Sequence, residues 1–356
     1  MRNSKRFGAL AIAAALVLAA CGDDEDSGSE GTTPTDGTTS ECVEQGDVKL
    51  GIAFDTGGRG DGTFNDSAAA GADKAECELG VGLDELEATT ADDRGPNLET
   101  LTANGNNPIV AVGFAFGDAL AGVAAANPDT SYAIVDGFIP DAPANVTFLG
   151  FAEEQGSFLV GAAAALKSES GVIGFIGGQE IDLIKKFEAG YIAGAKAVNP
   201  DIEVKSQYLG AAGDNAAWAS PDKAKEIALG WYGEGADIIY TAAGGSGAGT
   251  IDAAVEAGEG KWAIGVDSDQ YLTASADQQK HILTSMLKRV DVAVYQTADK
   301  FLKGELKGGF ETFDLKVDGV GYSTSGGYVD DIVDQLEDFK AKIISGEIVV
   351  PTAPEA

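Results

Sequence analysis

Histidine occurs once in this chain, at His281, and cysteine three times, at Cys21, Cys42 and Cys77. A Ser–His–Asp triad would hang on one imidazole at the start of a strand with no evident partner, so His281 reads as a structural or surface residue. No Cys/His cluster has zinc-ligand spacing, and the acids show no EF-hand spacing. Basic residues are scarce as well: 24 Lys and Arg face 57 Asp and Glu, a formal net charge of −33. A surface this acidic argues against nucleic acid and polyanions as partners. Beyond residue 20 no apolar run is long enough to cross a bilayer. Phosphate loops fail too. A Walker loop needs a lysine that "GGRGDGTFND" (57–66) does not supply, and neither Gly58, Gly60 and Gly62 nor "GGSGAG" (244–249) forms GxGxxG. The "RGD" at 59–61 reads as an accident of a glycine-rich turn. Asp55, Asp61 and Asp66 are scattered over a loop and a helix start, unlike the dense aspartate cluster that would hold calcium in a nucleoside hydrolase. Catalytic residues, a metal and a cofactor are therefore not expected.

The N-terminus is informative. Arg2, Lys5 and Arg6 precede the apolar "FGALAIAAALVLAA", the charge layout of a secretory signal over residues 1–20. It ends in "LAAC" (18–21), which resembles the lipobox of bacterial lipoproteins, where cleavage frees Cys21 for acylation. Several acyl chains would anchor stably where one would not. Residues 22–41 contain no aliphatic or aromatic side chain, so they read as a disordered tether spanning about 25 Å. Losing Arg2, Lys5 and Arg6 with the signal takes the charge from −33 to −36. The expected location is the extracytoplasmic face of the cell membrane. With Cys21 lipidated, Cys42 and Cys77 remain, and outside the cytoplasm such a pair is expected to be oxidised; two separate buried thiols are the alternative.

From residue 42 onward, apolar runs bounded by turns alternate with helical spacing. Strands are predicted at 48–54, 85–89, 109–116, 131–136, 146–151, 171–178, 203–209, 236–242, 262–267 and 281–287. Helices are predicted over 64–79, 97–104, 118–126, 154–167, 183–198, 221–232, 248–257, 290–303 and 330–344. Such alternation means α/β architecture, with parallel sheets covered on both faces. The length suggests two Rossmann-like lobes with a ligand cleft between them. Lobe I is expected to take 42–150 plus about 270–315, and lobe II 151–268 plus about 316–350. The chain is expected to cross back near 268–280 and again near 313–322.

"GIAFDTGGRGDGTFNDSAAAG" (51–71), "GFAFGDA" (113–119), "YAIVDG" (132–137), "GFIGGQEIDLIKKFEAGYIAGAKAVNPDI" (174–202), "AAGGSGAGTIDAA" (242–254) and "IGVDSDQ" (264–270) occur in this order. Together they resemble the basic membrane protein (BMP) family, the PnrA-like purine-nucleoside-binding lipoproteins of ABC transporters. The resemblance implies a type I periplasmic-binding fold, no enzymatic activity, and delivery of a nucleoside to an ABC permease and its ATPase. A monomer is the expected state.

The same resemblance suggests roles at individual positions. Phe54 and Trp218 would sandwich the purine, and Asn65 and Asp136 would read its edge. Asp118 is the second candidate for that acid but reads better as a helix N-cap. Asp267 and Lys288 would hold the ribose. Gly244, Gly245 and Ser246 would offer backbone N–H groups, and Asp55, with Asp61 and Thr63, would border the loop. Where the family has Lys-Ser before its Phe-Asn pair, this chain has Gly62-Thr63, a departure that bears on fine specificity together with Arg59. Three other readings stay open: a sugar or nucleoside-like metabolite in the same cleft, a nucleoside-cleaving enzyme, and a surface adhesin or receptor.

Overall fold

The computed structural model describes residues 42–355. The signal peptide, the lipidated Cys21 and the tether expected from the sequence lie outside the described residues. Strand β1 (Lys49–Phe54) is an apolar run buried beyond its first residue. Helix α1 (Phe64–Leu79) turns its small side chains inward and stops at Gly80, whose φ of 66° suits a residue without Cβ. β2 (Gly82–Glu87), α2 (Arg94–Ala103), β3 (Ile109–Val112), α3 (Gly117–Ala126), β4 (Tyr132–Val135) and β5 (Val146–Phe151) complete the first run of alternation. A disulfide joins Cys42 to Cys77, and Val43 donates its N–H to the Cys77 carbonyl at 2.8 Å. The start of the described chain is thereby tied to the end of α1.

After residue 151 the chain enters a second sheet through α4 (Glu153–Lys167), β6 (Val172–Gln179), α5 (Asp182–Val198), β7 (Glu203–Gly210), α6 (Pro221–Gly233), β8 (Ile238–Ala242), α7 (Gly247–Ala257), β9 (Trp262–Asp267) and β10 (Ile282–Lys288). Pro221 occupies the opening of α6, where its missing N–H costs nothing. The chain then returns. Helix α8 (Val290–Leu302) packs on α1, and β11 (Gly309–Phe313) extends the first sheet. β12 (Val320–Tyr322) joins the second sheet, and α9 (Val333–Ile344) packs on α4. The strand orders are β11-β5-β4-β3-β1-β2 and β12-β10-β9-β8-β6-β7. Among these pairs only β12 runs antiparallel to its neighbour.

One boundary differs from the sequence reading. Residues 270–288 were expected in lobe I, but β10 pairs with β9 and β12 in the second sheet. The chain leaves lobe II at 288–290, not at 268–280. β10 carries the apolar run a sheet interior requires and is buried along nearly all of its length. Such a run fits either sheet equally well, so its partner is a tertiary choice.

Helices α4 and α5 approach closely because Gly190 and Gly194 of α5 face the α4 backbone. A Cβ on either would collide with the carbonyl of Glu154 or Phe158. This contact sets α4 and α5 side by side beneath the cleft.

Candidate functional site

In parallel sheets the carboxyl ends of the strands face the ligand crevice. Here the ends of β1, β3 and β4 in one lobe face those of β8, β9 and β10 in the other. Between them lies a cavity of about 420 Å³, within the range for small-molecule sites. Polar contacts cross it between the lobes. Ser268 donates its hydroxyl to the Thr63 carbonyl at 2.8 Å, and Lys288 donates Nζ to Asp136 Oδ2 at 2.6 Å.

Asp136 and Asp267 follow or end β4 and β9 at φ values of 63° and 64°. Aspartate tolerates this left-handed turn better than most residues, and both side chains line the cavity. Lys288 ends β10 and is 1 % exposed. Its ammonium also lies 3.1 Å from Glu153 Oε1, an ion pair without hydrogen-bond geometry. Glu153 Oε2 accepts from Lys186 Nζ at 3.0 Å. The Phe151, Phe64 and Phe187 rings surround the Lys288 ammonium at 5.0, 5.3 and 5.5 Å.

This buried group sets unusual acidities. Burial pushes the Asp267 carboxyl up to about 7; Lys288 opposes the rise, while Asp136, Asp61 and Glu153 add to it. Burial also raises Asp136, against Lys288 and with Glu153. For Lys288 burial acts downward, but Asp136, Glu153 and Asp267 overcome it, so the amine is raised and stays charged.

A second polar pair lies elsewhere on the cavity wall. Asp55, just past β1, accepts at Oδ1 from Arg94 Nε (2.9 Å), Arg94 Nη2 (2.7 Å) and the Thr56 N–H (2.8 Å). Arg94 is 8 % exposed and lies over the Phe116 ring. Sequence reasoning missed it. In "ADDRGPN" it looks like one more surface charge, and only its distance from Asp55 shows otherwise.

Several expected residues are where they were placed. Asn65 is buried at the cavity wall. Its amide nitrogen donates to Asp61 Oδ2 at 3.1 Å, and its amide oxygen has no partner among the described residues. Asp61 also accepts the N–H groups of Thr63, Asn65 and Asp66, and so caps the start of α1. Burial raises the Asp61 carboxyl against those bonds. Trp218, Gly244 and Gly245 line the opposite wall.

Three expectations need correction. Phe54 is 2 % exposed and belongs to the core beneath α1. The first-lobe aromatics at the cavity are Phe64 and Phe114, the latter edge-on to Trp218 with ring centroids 6.3 Å apart. Strand β1 is buried on both faces, so its sequence gives no sign that residue 54 points to the helices and residue 55 to the cleft. Ser246 does not line the cavity. Its hydroxyl donates to the Ala217 carbonyl at 2.8 Å and accepts the Ser220 N–H at 2.7 Å, bracing the loop that carries Trp218. Asp118 lies exposed in the first turn of α3 and forms no capping bond.

Trp218 also rests on Gly178 of β6, where a Cβ would overlap the indole ring. Gly178→Val should therefore push the indole from the wall and weaken ligand binding about tenfold or more. Near-neutral affinity in this variant, with an unchanged tryptophan emission maximum, would show the indole is not held this way.

Comparison with known proteins bears on the family and the fold. A family model described as "ABC transporter substrate-binding protein PnrA-like" matches residues 48–353. The ABC transporter nucleoside-binding protein BmpA of Lactococcus lactis subsp. cremoris is 34% identical over 360 residues, covering 97% of each chain. Basic membrane protein A of Borreliella burgdorferi is 34% identical over 301 residues, covering 83% of this chain and 86% of that one. A crystal structure of an ABC transporter solute-binding protein from Aeropyrum pernix K1 is 29% identical. It superposes with a TM-score of 0.75, covering 85% of this chain and 94% of that one.

Proposed function

The chain belongs to the PnrA-like family of ABC transporter substrate-binding proteins, and we propose that it captures a purine nucleoside between its lobes. In this reading the closed complex is presented to a membrane permease that works with an ATPase. Acylated Cys21 and the acidic tether hold the protein at the extracytoplasmic face. The observation that carries the reading is one cavity combining aromatic walls with separate polar groups. Phe64, Phe114 and Trp218 supply faces for a planar base. Asn65 and Asp136 supply acceptors, and the amide a donor, for a base edge. Asp267 beside Lys288 suits vicinal hydroxyls, the carboxylate accepting and the ammonium donating. No step of bond cleavage is assigned to these groups.

A sugar in the same cleft is the second reading, favoured by the Asp55–Arg94 pair, which could also hold hydroxyls. Titration calorimetry on the refolded, ligand-stripped chain separates the two. Inosine, guanosine and adenosine should bind one to one, and ribose at least a hundredfold more weakly. Binding of ribose alone would remove the base from the reading, and no binding by a refolded protein would reject both.

A further inference from the structure

The buried charges beneath the cleft form a chain: Lys186, Glu153, Lys288, Asp136. Their side chains are 33 %, 0 %, 2 % and 6 % exposed. Between its side chains the lobe boundary is crossed at one link; Lys186 also donates to the Phe151 carbonyl at 3.4 Å, at the end of β5 where the chain passes between the lobes. Asp136 follows β4 of the first sheet, whereas Lys288 ends β10 of the second. Glu153 opens α4, which packs on β10 and β12, and Lys186 lies on α5, the close neighbour of α4. Separating the lobes therefore breaks Lys288–Asp136 and leaves Lys288–Glu153–Lys186 together.

We infer that Glu153 is a positioning residue that competes with Asp136 for Lys288 and so biases the unliganded protein toward its open form. In the closed form Lys288 gives its short hydrogen bond to Asp136, and Glu153 retains contact by charge alone. Two further consequences run the same way. Closing brings the Asp136 and Glu153 carboxylates to one ammonium, so they repel. Opening leaves Lys288 a carboxylate partner, so it is not stranded as a bare buried cation, whose cost would otherwise oppose opening. Glu153 thus lowers the free energy of the open state and raises that of the closed one. A ligand whose groups bridge Asp136, Asp267 and Lys288 then supplies the difference, and apparent affinity scales with the fraction already closed.

The sign of this effect is the opposite of what a purely structural ion pair would give. Glu153→Gln keeps the shape and an acceptor for Lys186 but removes the competing charge. The unliganded variant should have a smaller radius of gyration by solution scattering than the wild type, and should contract less when ligand is added. Its dissociation constant for the tightest-binding nucleoside should fall by about threefold to tenfold. Lys186→Met tests the opposite direction from a position one-third exposed. Freed of Lys186, Glu153 pulls harder on Lys288, so this variant should be more expanded without ligand and bind more weakly. An unchanged or larger radius in Glu153→Gln, or compaction in Lys186→Met, overturns the inference.

The inference rests on the nucleoside reading only for the choice of titrant, since scattering on the unliganded protein needs none. If the radii move as expected while no nucleoside binds, the ligand assignment fails and the charge competition stands. If nucleosides bind and the radii do not move, the reverse holds.

Discussion

Asp267→Asn should make the unliganded protein more stable at neutral pH while weakening capture. Burial raises the Asp267 carboxyl to about 7 in the folded chain, whereas in an unfolded chain it titrates near 4. The folded state thus holds this proton more tightly than the unfolded state does. Stability linked to Asp267 is fully present below about pH 4 and declines as pH rises toward 7, above which the carboxylate is carried at a cost. Three pK units set a ceiling of about 4 kcal/mol, and about 2 kcal/mol is expected once relaxation is allowed for. Asparagine removes the charge and with it the decline. Thermal unfolding at pH 8 should show the variant melting above the wild type, and the gap should close by pH 4. The amide is a poorer acceptor for ligand hydroxyls, so affinity at pH 8 should fall about tenfold to a hundredfold. A variant less stable than the wild type at pH 8 would mean that Asp267 is held by its partners more strongly than it is penalised by burial.

The second large effect concerns the cation. Lys288→Met leaves Asp136, Glu153 and Asp267 around an apolar side chain, with Lys186 paired to Glu153 and donating to the Phe151 carbonyl. Removing one member of a buried charge set costs about 3–5 kcal/mol, because the remaining carboxylates are desolvated and repel one another. In the wild type the raised Lys288 pKa contributes stability that is fully present below the unfolded lysine value near 10.4 and lost only above it. At pH 8 the variant lacks all of that contribution. Asp136 and Asp267 should then titrate higher still, so acid should restore stability as they take up protons. Urea unfolding at pH 8 and pH 5.5 checks this. Equal losses at the two values would assign the effect to lost packing against Phe64, Phe151 and Phe187 instead of to charge.

The sequence alone determined the alternation of strands and helices, and with it two parallel sheets, because apolar runs and helical spacing are local signals. The family resemblance marked Asp136, Asp267 and Lys288, and their positions agree with it. Each ends or follows an apolar run, and strand ends in such sheets face the crevice. Cys42 and Cys77 were left as a pair by cysteine arithmetic, and they are bonded. The resemblance marked Trp218, and it lines the cavity.

The tertiary structure alone decided which groups meet. The direction of Phe54 was hidden because β1 is buried on both faces and has no polar side to orient it. Phe64 and Phe114 took the place at the cavity that Phe54 was expected to fill. Arg94 lies 39 residues from Asp55, so nothing local joins the two. Glu153 precedes the helix predicted over 154–167 and was not singled out, but burial against two lysines makes it part of the lobe boundary. β10 could have entered either sheet. Periodicity reports how a residue faces its own element, and local sequence reports where that element ends. Neither carries the distance between groups that are far apart in the chain, and the charge balance of this cleft depends on those distances.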